Sequence, residues 1–177
     1  VWVQRALRWP GIHVKWTMQT ALDARQKWME EHVPTLEASP LAEFLAAGSE
    51  GVRKQNGSEH VKFTNQSMQT LMASKKQSGH GQVVDLGMID EAMAQPDDRL
   101  HQALRPAMKT RHRDGLPGAQ LWIISTVGPA GESEWFHSWV DAGRAAVEAG
   151  TCDADRLCFI EYSAAEDADP GDPATWW

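Results

Sequence analysis

The chain has 177 residues, 42% hydrophobic and 23% charged, with a formal net charge of −7. That balance excludes a wholly disordered chain, and no apolar run approaches the roughly 20 residues a membrane-crossing helix needs. It also excludes a generally basic nucleic-acid surface, while Lys75 and Lys76 leave room for a local patch that touches phosphates.

In chain order, "HVKWTM" (13–18) is a short β-rich run. Thr20, followed three positions later by Asp23, resembles a capping box opening the helix "ALDARQKWMEEHV". Ala21, Ala24 and Trp28, with Leu22, Met29 and Val33 beside them, predict one apolar side for it. Pro34 and Pro40 bracket a break before a small helix, "LAEFLAAG". Two or three antiparallel strands follow within 51–74, because Asn56-Gly57 is a hairpin turn signal and Val61 and Phe63 alternate with polar neighbours.

The run "VVDLGMI" is too short for a helix and fits a strand covered on both faces of a parallel sheet. A helix is expected over "DDRLHQALRPAMKTRHR", with Asp97 or Asp98 at its start, Lys109, Arg111 and Arg113 at its end, and a kink or stop at Pro106. "AQLWIISTV" predicts a second apolar strand. "ESEWFHSWVDAGRAAVEAG" predicts a helix with Trp135, Trp139 and Val140 inward, and "RLCFIEYSA" a third strand. Strand, helix, strand, helix, strand implies an α/β fold with a mostly parallel sheet flanked by helices, and a small antiparallel β-meander beside it. Residues 164–177, acidic and rich in Pro and Gly, read as a linker after a domain spanning 1–163. Cys152 and Cys158 lack CxxC spacing, which points to reduced thiols and a cytoplasmic compartment. Val1 is not a Met and the chain stops at Trp176-Trp177, so the expectation is a piece of something longer.

Two acids, Asp90 and Glu91, follow the apolar "LGMI". That is the Walker B pattern of P-loop ATPases, in which a buried strand holds the first carboxylate still for magnesium. The adjacent Glu points elsewhere and can polarise the water that attacks the γ-phosphate of ATP. Acids after a strand also begin helices, so the pattern alone has a second explanation. The next strand ends in Ser125 and Thr126 before Gly128-Pro129, and such hydroxyls can hydrogen-bond a phosphate or the attacking water; they are equally ordinary turn chemistry. Strand with acids, helix, then hydroxyl-tipped strand is the order of an additional-strand, RecA-like nucleotide-hydrolysing sheet. "HRDG" at 112–115 mimics a kinase catalytic loop but lacks its Asn, and the seven histidines show no metal-ligand spacing.

Taken in order, "VKWTMQTALDARQKW", "VKFTNQSMQTLMAS", "KKQSGHGQVVDLGMIDEA", "AQLWIISTVGPAGES" and the closing "IEYSAAEDADPGDPATWW" resemble the ATPase region of bacteriophage large terminase subunits over nearly the whole chain. The hairpin departs from the family in carrying Asn65-Gln66 where Asn-Gly is usual. The resemblance implies a motor that couples ATP hydrolysis to packaging of double-stranded DNA. It implies Asp90 as magnesium ligand, Glu91 as catalytic base, Ser125 with Thr126 as coupling motif, and Gly79, His80 and Gly81 as the loop feeding the strand. Mg2+ and ATP are the implied cofactors. The implied partners are DNA, a portal protein, a small terminase subunit and further copies in a ring. Arg53, Arg99 and Arg105 are the candidates for an arginine finger. No G-x-x-x-x-G-K-[ST] occurs and no nuclease domain is present, so the expectation is a fragment that does not hydrolyse ATP by itself. Another nucleic-acid translocase, or a non-catalytic interaction module, are the alternatives.

Overall fold

The computed structural model describes residues 1–72, 83–111, 115, 117–126, 133–164, 167–169 and 171–173. They fall into two compact units, Val1–Phe136 and His137–Trp177.

The first unit opens with helix α1 (Trp2–Arg8) and runs into strand β1 (His13–Thr17). Thr20 then caps helix α2 (Ala21–Lys27) as its sequence predicts: its hydroxyl accepts from the Asp23 backbone N–H at 3.1 Å, and the Asp23 carboxylate takes that same hydroxyl at 2.6 Å in place of the Thr20 N–H of a full capping box. Ala24, Trp28 and Val33 turn inward as expected and Met29 is half-buried, whereas Ala21 is exposed and Leu22 is 71% exposed. Its position between Ala21 and Asp23 puts it on the solvent side of the helix.

No break occurs at Pro34. A π-helical turn (Trp28–His32) leads directly into helix α3 (Val33–Glu37), with Pro34 in its first turn. The Val33 N–H reaches back to the Trp28 carbonyl, and this widening just before the proline gives its ring space that a regular turn would deny. The chain breaks only at Ser39, and the small helix expected after it is a 3-10 turn (Pro40–Phe44). Leu45 is already extended and bridges Phe63, so the sheet claims residues whose own pattern suggested helix.

Strands β2 (Val52–Arg53), β3 (His60–Lys62) and β4 (Met68–Leu71) form the antiparallel meander, with its first turn at Asn56-Gly57. Strand β4 then lies parallel to β1, and β1 is parallel to β5 (Leu86–Ile89), which is parallel to β6 (Gln120–Ile123). The six strands run in the order β2-β3-β4-β1-β5-β6, a mixed, mostly parallel sheet. One face packs Val14, Trp16, Leu86 and Met88 against α1 and the α2–α3 helix in the main core. Trp28 sits at the centre of that core, donating its indole N–H to the buried Gln69 amide at 2.9 Å.

All four residues of β5 are buried, as its continuous apolar run predicts. Helix α4 (Arg99–Lys109) covers its other face and runs through Pro106 without stopping. Gly87 permits the close approach, because an added Cβ there would lie 3.0 Å from Leu121 and 3.1 Å from Leu104. Strand β6 is less apolar in place than in sequence: Gln120 is exposed and the rest are half-buried.

Helix α5 (Glu134–Ala149) begins in the first unit and belongs mostly to the second. Its buried side chains are Phe136, Val140 and Ala146; Trp135 and Trp139, expected inward, are half-buried. After the short helix α6 (Cys152–Asp155), residues 157–164 form no strand. Leu157 and Phe159 are half-buried, while Ile160 is 64% and Tyr162 97% exposed. The third strand expected there finds no partner among the described residues, and apolar alternation cannot make a ladder without one.

Candidate functional site

The parallel strands β1, β5 and β6 all point their carboxyl ends to one rim of the sheet, the end at which open α/β sheets collect ligands. Asp90 is the first residue beyond β5, and its N–H bonds the carbonyl of Thr17, the last residue of β1, at 2.9 Å. The next residues fold sideways onto the exit of β6. The Ala92 N–H bonds the Ile124 carbonyl at 3.1 Å and the Met93 N–H bonds the Ser125 hydroxyl at 3.0 Å. Ser125 in turn donates to the Thr126 carbonyl at 2.9 Å. Asp90, Glu91, Ser125 and Thr126, separated by more than 30 residues of sequence, are therefore neighbours on adjoining strand ends.

The two acids have different surroundings. Asp90 keeps 18% of its side chain exposed, and one carboxylate oxygen accepts the Glu91 N–H at 3.1 Å. The other oxygen accepts from the Lys27 ammonium at 3.1 Å. Glu91 is exposed and sits in the left-handed region, φ 52 and ψ 45, a conformation that costs a side chain roughly 1–2 kcal/mol. The sideways turn onto β6 imposes it: Ala92 must reach Ile124 immediately after Asp90 has bonded β1.

Lys27 is the residue that sequence reading missed. It ends α2, where a cation also complements the helix dipole, and it lies beside the inward Trp28 at the border of the apolar stripe. Burial lowers the pKa of its ammonium, but the hydrogen bond and charge of Asp90, with Glu31 and Glu91 behind them, more than offset this and raise it above its ordinary value. The π-helical turn separates Lys27 from His32, whose ring lies 4.5 Å from Trp16 between ring centres and which also feels Lys27 and Asp90. Such turns often mark functional segments.

Among the described residues no group of three or more His, Cys, Asp or Glu side chains could hold a metal ion. One carboxylate with neighbouring hydroxyls does not make a resident site. It does suit a hard ion that arrives with phosphate oxygens and takes only one or two protein carboxylates, and the Lys27 ammonium on Asp90 shows that the position favours a cation.

Gly79, His80 and Gly81 lie outside the described residues, as do Lys75, Lys76, Gly128 and Pro129. The three candidate arginines are dispersed. Arg53 is on β2 and donates to Gln55 at 2.7 Å, Arg99 forks onto Asp97 at 2.6 and 2.7 Å, and Arg105 is exposed on α4.

No protein-family model matches the chain, and no curated protein matches it. Solved structures do share its fold. The large terminase of bacteriophage HK97 superposes with a TM-score of 0.67 at 15% identity, covering 94% of this chain and 32% of that one. The large terminase of a thermophilic bacteriophage gives 0.57 at 16% identity, covering 88% of this chain and 34% of that one. The chain thus matches large-terminase structures over most of its length and spans about a third of theirs; at this identity the likeness is one of fold.

Proposed function

We propose that the chain is part of the ATPase motor of a phage large terminase, which couples ATP hydrolysis to packaging of double-stranded DNA. The observation that carries this reading is the junction of Asp90 and Glu91 with Ser125 at the carboxyl rim of a parallel sheet, linked by the Met93 N–H to the Ser125 hydroxyl. Asp90 holds the magnesium that accompanies the nucleotide, and that ion supplies charge neutralisation at the phosphates. Glu91, exposed and within the field of Lys27, whose hydrogen bond goes to Asp90, accepts the proton of the attacking water. Ser125 and Thr126 sense the phosphate, and because Ser125 holds the Met93 backbone, a change at its hydroxyl moves the loop that carries the acids. The loop at Gly79, His80 and Gly81 feeds the same strand.

No phosphate loop occurs in the sequence, so in this reading the chain turns over ATP only as part of a longer polypeptide that supplies one. The portal, the small terminase subunit and further copies in a ring are its partners in that reading. The decisive experiment measures magnesium-dependent ATP turnover in the longer protein and its Glu91→Gln variant. The amide cannot accept a proton, so turnover should fall by roughly 10²–10⁴-fold with nucleotide binding retained. Turnover by the 177-residue chain alone, or a Glu91→Gln protein as fast as the parent, overturns the reading.

A further inference from the structure

Side chains alternate across a sheet, so strand register decides which residues share a face. Arg53 on β2 lies opposite His60 on β3, His60 opposite Thr70 on β4, and Thr70 opposite Lys15 on β1. One row further along, Lys62 lies opposite Met68, and Met68 opposite His13. All seven point away from the face that carries Val14, Trp16, Val61 and Gln69. The face they occupy holds an open depression lined by His13, Arg53, His60, Lys62 and Gln66, with Glu50 as its one carboxylate.

Neither Lys15 nor Lys62 has a carboxylate partner among the described residues, and the Arg53 guanidinium bonds only a neutral amide, that of Gln55. Burial without a compensating acid lowers the Lys15 pKa. The Thr70 hydroxyl, between Lys15 and His60, is buried with no hydrogen-bond partner. Arg53 and Lys62 against Glu50 leave the depression positive in a chain of net charge −7, with the half-buried Lys15 on β1 outside its lining. The nearest other acids are already paired, Asp85 beside His13 with Arg111 and Glu59 beside His60 with Arg25, and at 0.1 M salt a screening length of about 10 Å weakens those farther away.

We infer that this face, over β2, β3, β4 and β1, is a contact surface for the phosphate backbone of duplex DNA, with Arg53, Lys62 and Lys15 as its cations. The cations spread rather than converge. Arg53 and Lys15 are three strand spacings apart, roughly 14 Å, which fits a row of phosphates and not a single phosphate group. The rings of Trp16 and Trp122 lie on the opposite face with the core, and these rows carry no Phe, Tyr or Trp on which an unpaired base could stack, which favours a duplex over a single strand. The choice of DNA among polyanions rests on the proposed function; the surface rests on the register.

The test is binding of a fluorescent 30-bp duplex (roughly three helical turns) and of its single strand to the 177-residue chain, from about 50 to 200 mM salt. The expected result is salt-dependent duplex binding, stronger than that of the single strand. The double variant Arg53→Gln, Lys62→Gln should weaken it, with the slope of log affinity against log salt smaller by about 0.9 for each cation removed. Lys54→Gln is the control, because Lys54, just past β2, pairs with Glu37 and does not line the depression; it should leave binding unchanged. Absence of duplex binding, tighter binding of the single strand, or equal loss in the control and the double variant overturns the inference. A longer protein that still needs Glu91 for ATP turnover but binds DNA independently of Arg53 and Lys62 would sink this surface while leaving the motor reading intact.

Discussion

Glu91 is held in a backbone conformation that suits glycine better than glutamate, and no hydrogen bond to its side chain among the described residues compensates. Strain of this kind at the mouth of a sheet is compatible with the role proposed for Glu91 and adds nothing to stability. Glu91→Gly should therefore raise unfolding stability by about 1 kcal/mol in a denaturant titration while removing turnover in the longer protein; a destabilised variant would show that the side chain has a structural role. His32 supplies a pH signature. Burial, the largest cause, and then Lys27 lower its pKa below the ordinary 6.5, with Asp90 and Glu31 partly opposing them. The unfolded state thus binds a proton before the folded state does. Stability is full above about pH 6.5 and falls as pH drops below it, before carboxylates titrate. His32→Gln should flatten the melting-temperature curve between about pH 7 and 5, and an unchanged curve would assign that dependence to His101 or another group.

Among the elements, the π-helical turn and helix α5 each show a local rule giving way to packing. Pro34 carries the usual signal of a helix end, yet the widened turn before it lets α2 continue into α3, so that Trp28, Val33 and Leu36 all reach the core. On α5, Gly143 faces the ring of Phe159 so closely that an added Cβ would overlap it. That contact, with the fork of Arg144 onto Glu161 at 2.5 and 3.0 Å, holds residues 157–161 along the helix without any strand pairing. Gly143→Ala should free this segment at a cost of about 1–3 kcal/mol, seen as faster hydrogen exchange and proteolysis at 157–161 with the sheet still protected. Unchanged protection would mean that the ring finds another seat.

For the molecule as a whole, the rim opposite the candidate site is closed by a charge cluster around Asp85. Asp85 is 3% exposed and takes both fork nitrogens of Arg111 at 2.7 and 2.8 Å, together with the His13 N–H at 2.7 Å. Arg111 also reaches the Gly11 carbonyl, and Arg5 of α1, whose guanidinium burial pushes down in pKa while Asp85 partly restores it, bonds Gln120 and the Gly118 carbonyl at 2.6 Å. The start of β1 and Arg111, just past α4, therefore share the Asp85 carboxylate, while Arg5 of α1, within its field, ties down the start of β6. Asp85→Ala leaves the half-buried Arg111 guanidinium with only the Gly11 carbonyl and should cost up to about 3 kcal/mol; Asp85→Ala combined with Arg111→Met should recover part of that loss. No recovery would mean that Arg5, rather than Arg111, carries the interaction.

Much of this was legible in the amino-acid sequence because the signals are local. The Thr20 cap, the apolar run of β5, the Asn56-Gly57 turn and the acids that follow Ile89 depend on neighbours within a few residues, and periodicity reports them directly. What the chain could not declare alone were relations between distant segments: that Lys27 neutralises Asp90 across 63 positions, that Arg111 serves Asp85 rather than a helix end, and that 157–164 joins no strand among the described residues. Local sequence sets backbone preference and which side of an element is apolar, whereas ion pairs, strand partners and the left-handed turn at Glu91 exist only once the sheet brings separate strand ends within hydrogen-bond reach, a distance that no spacing along the chain encodes.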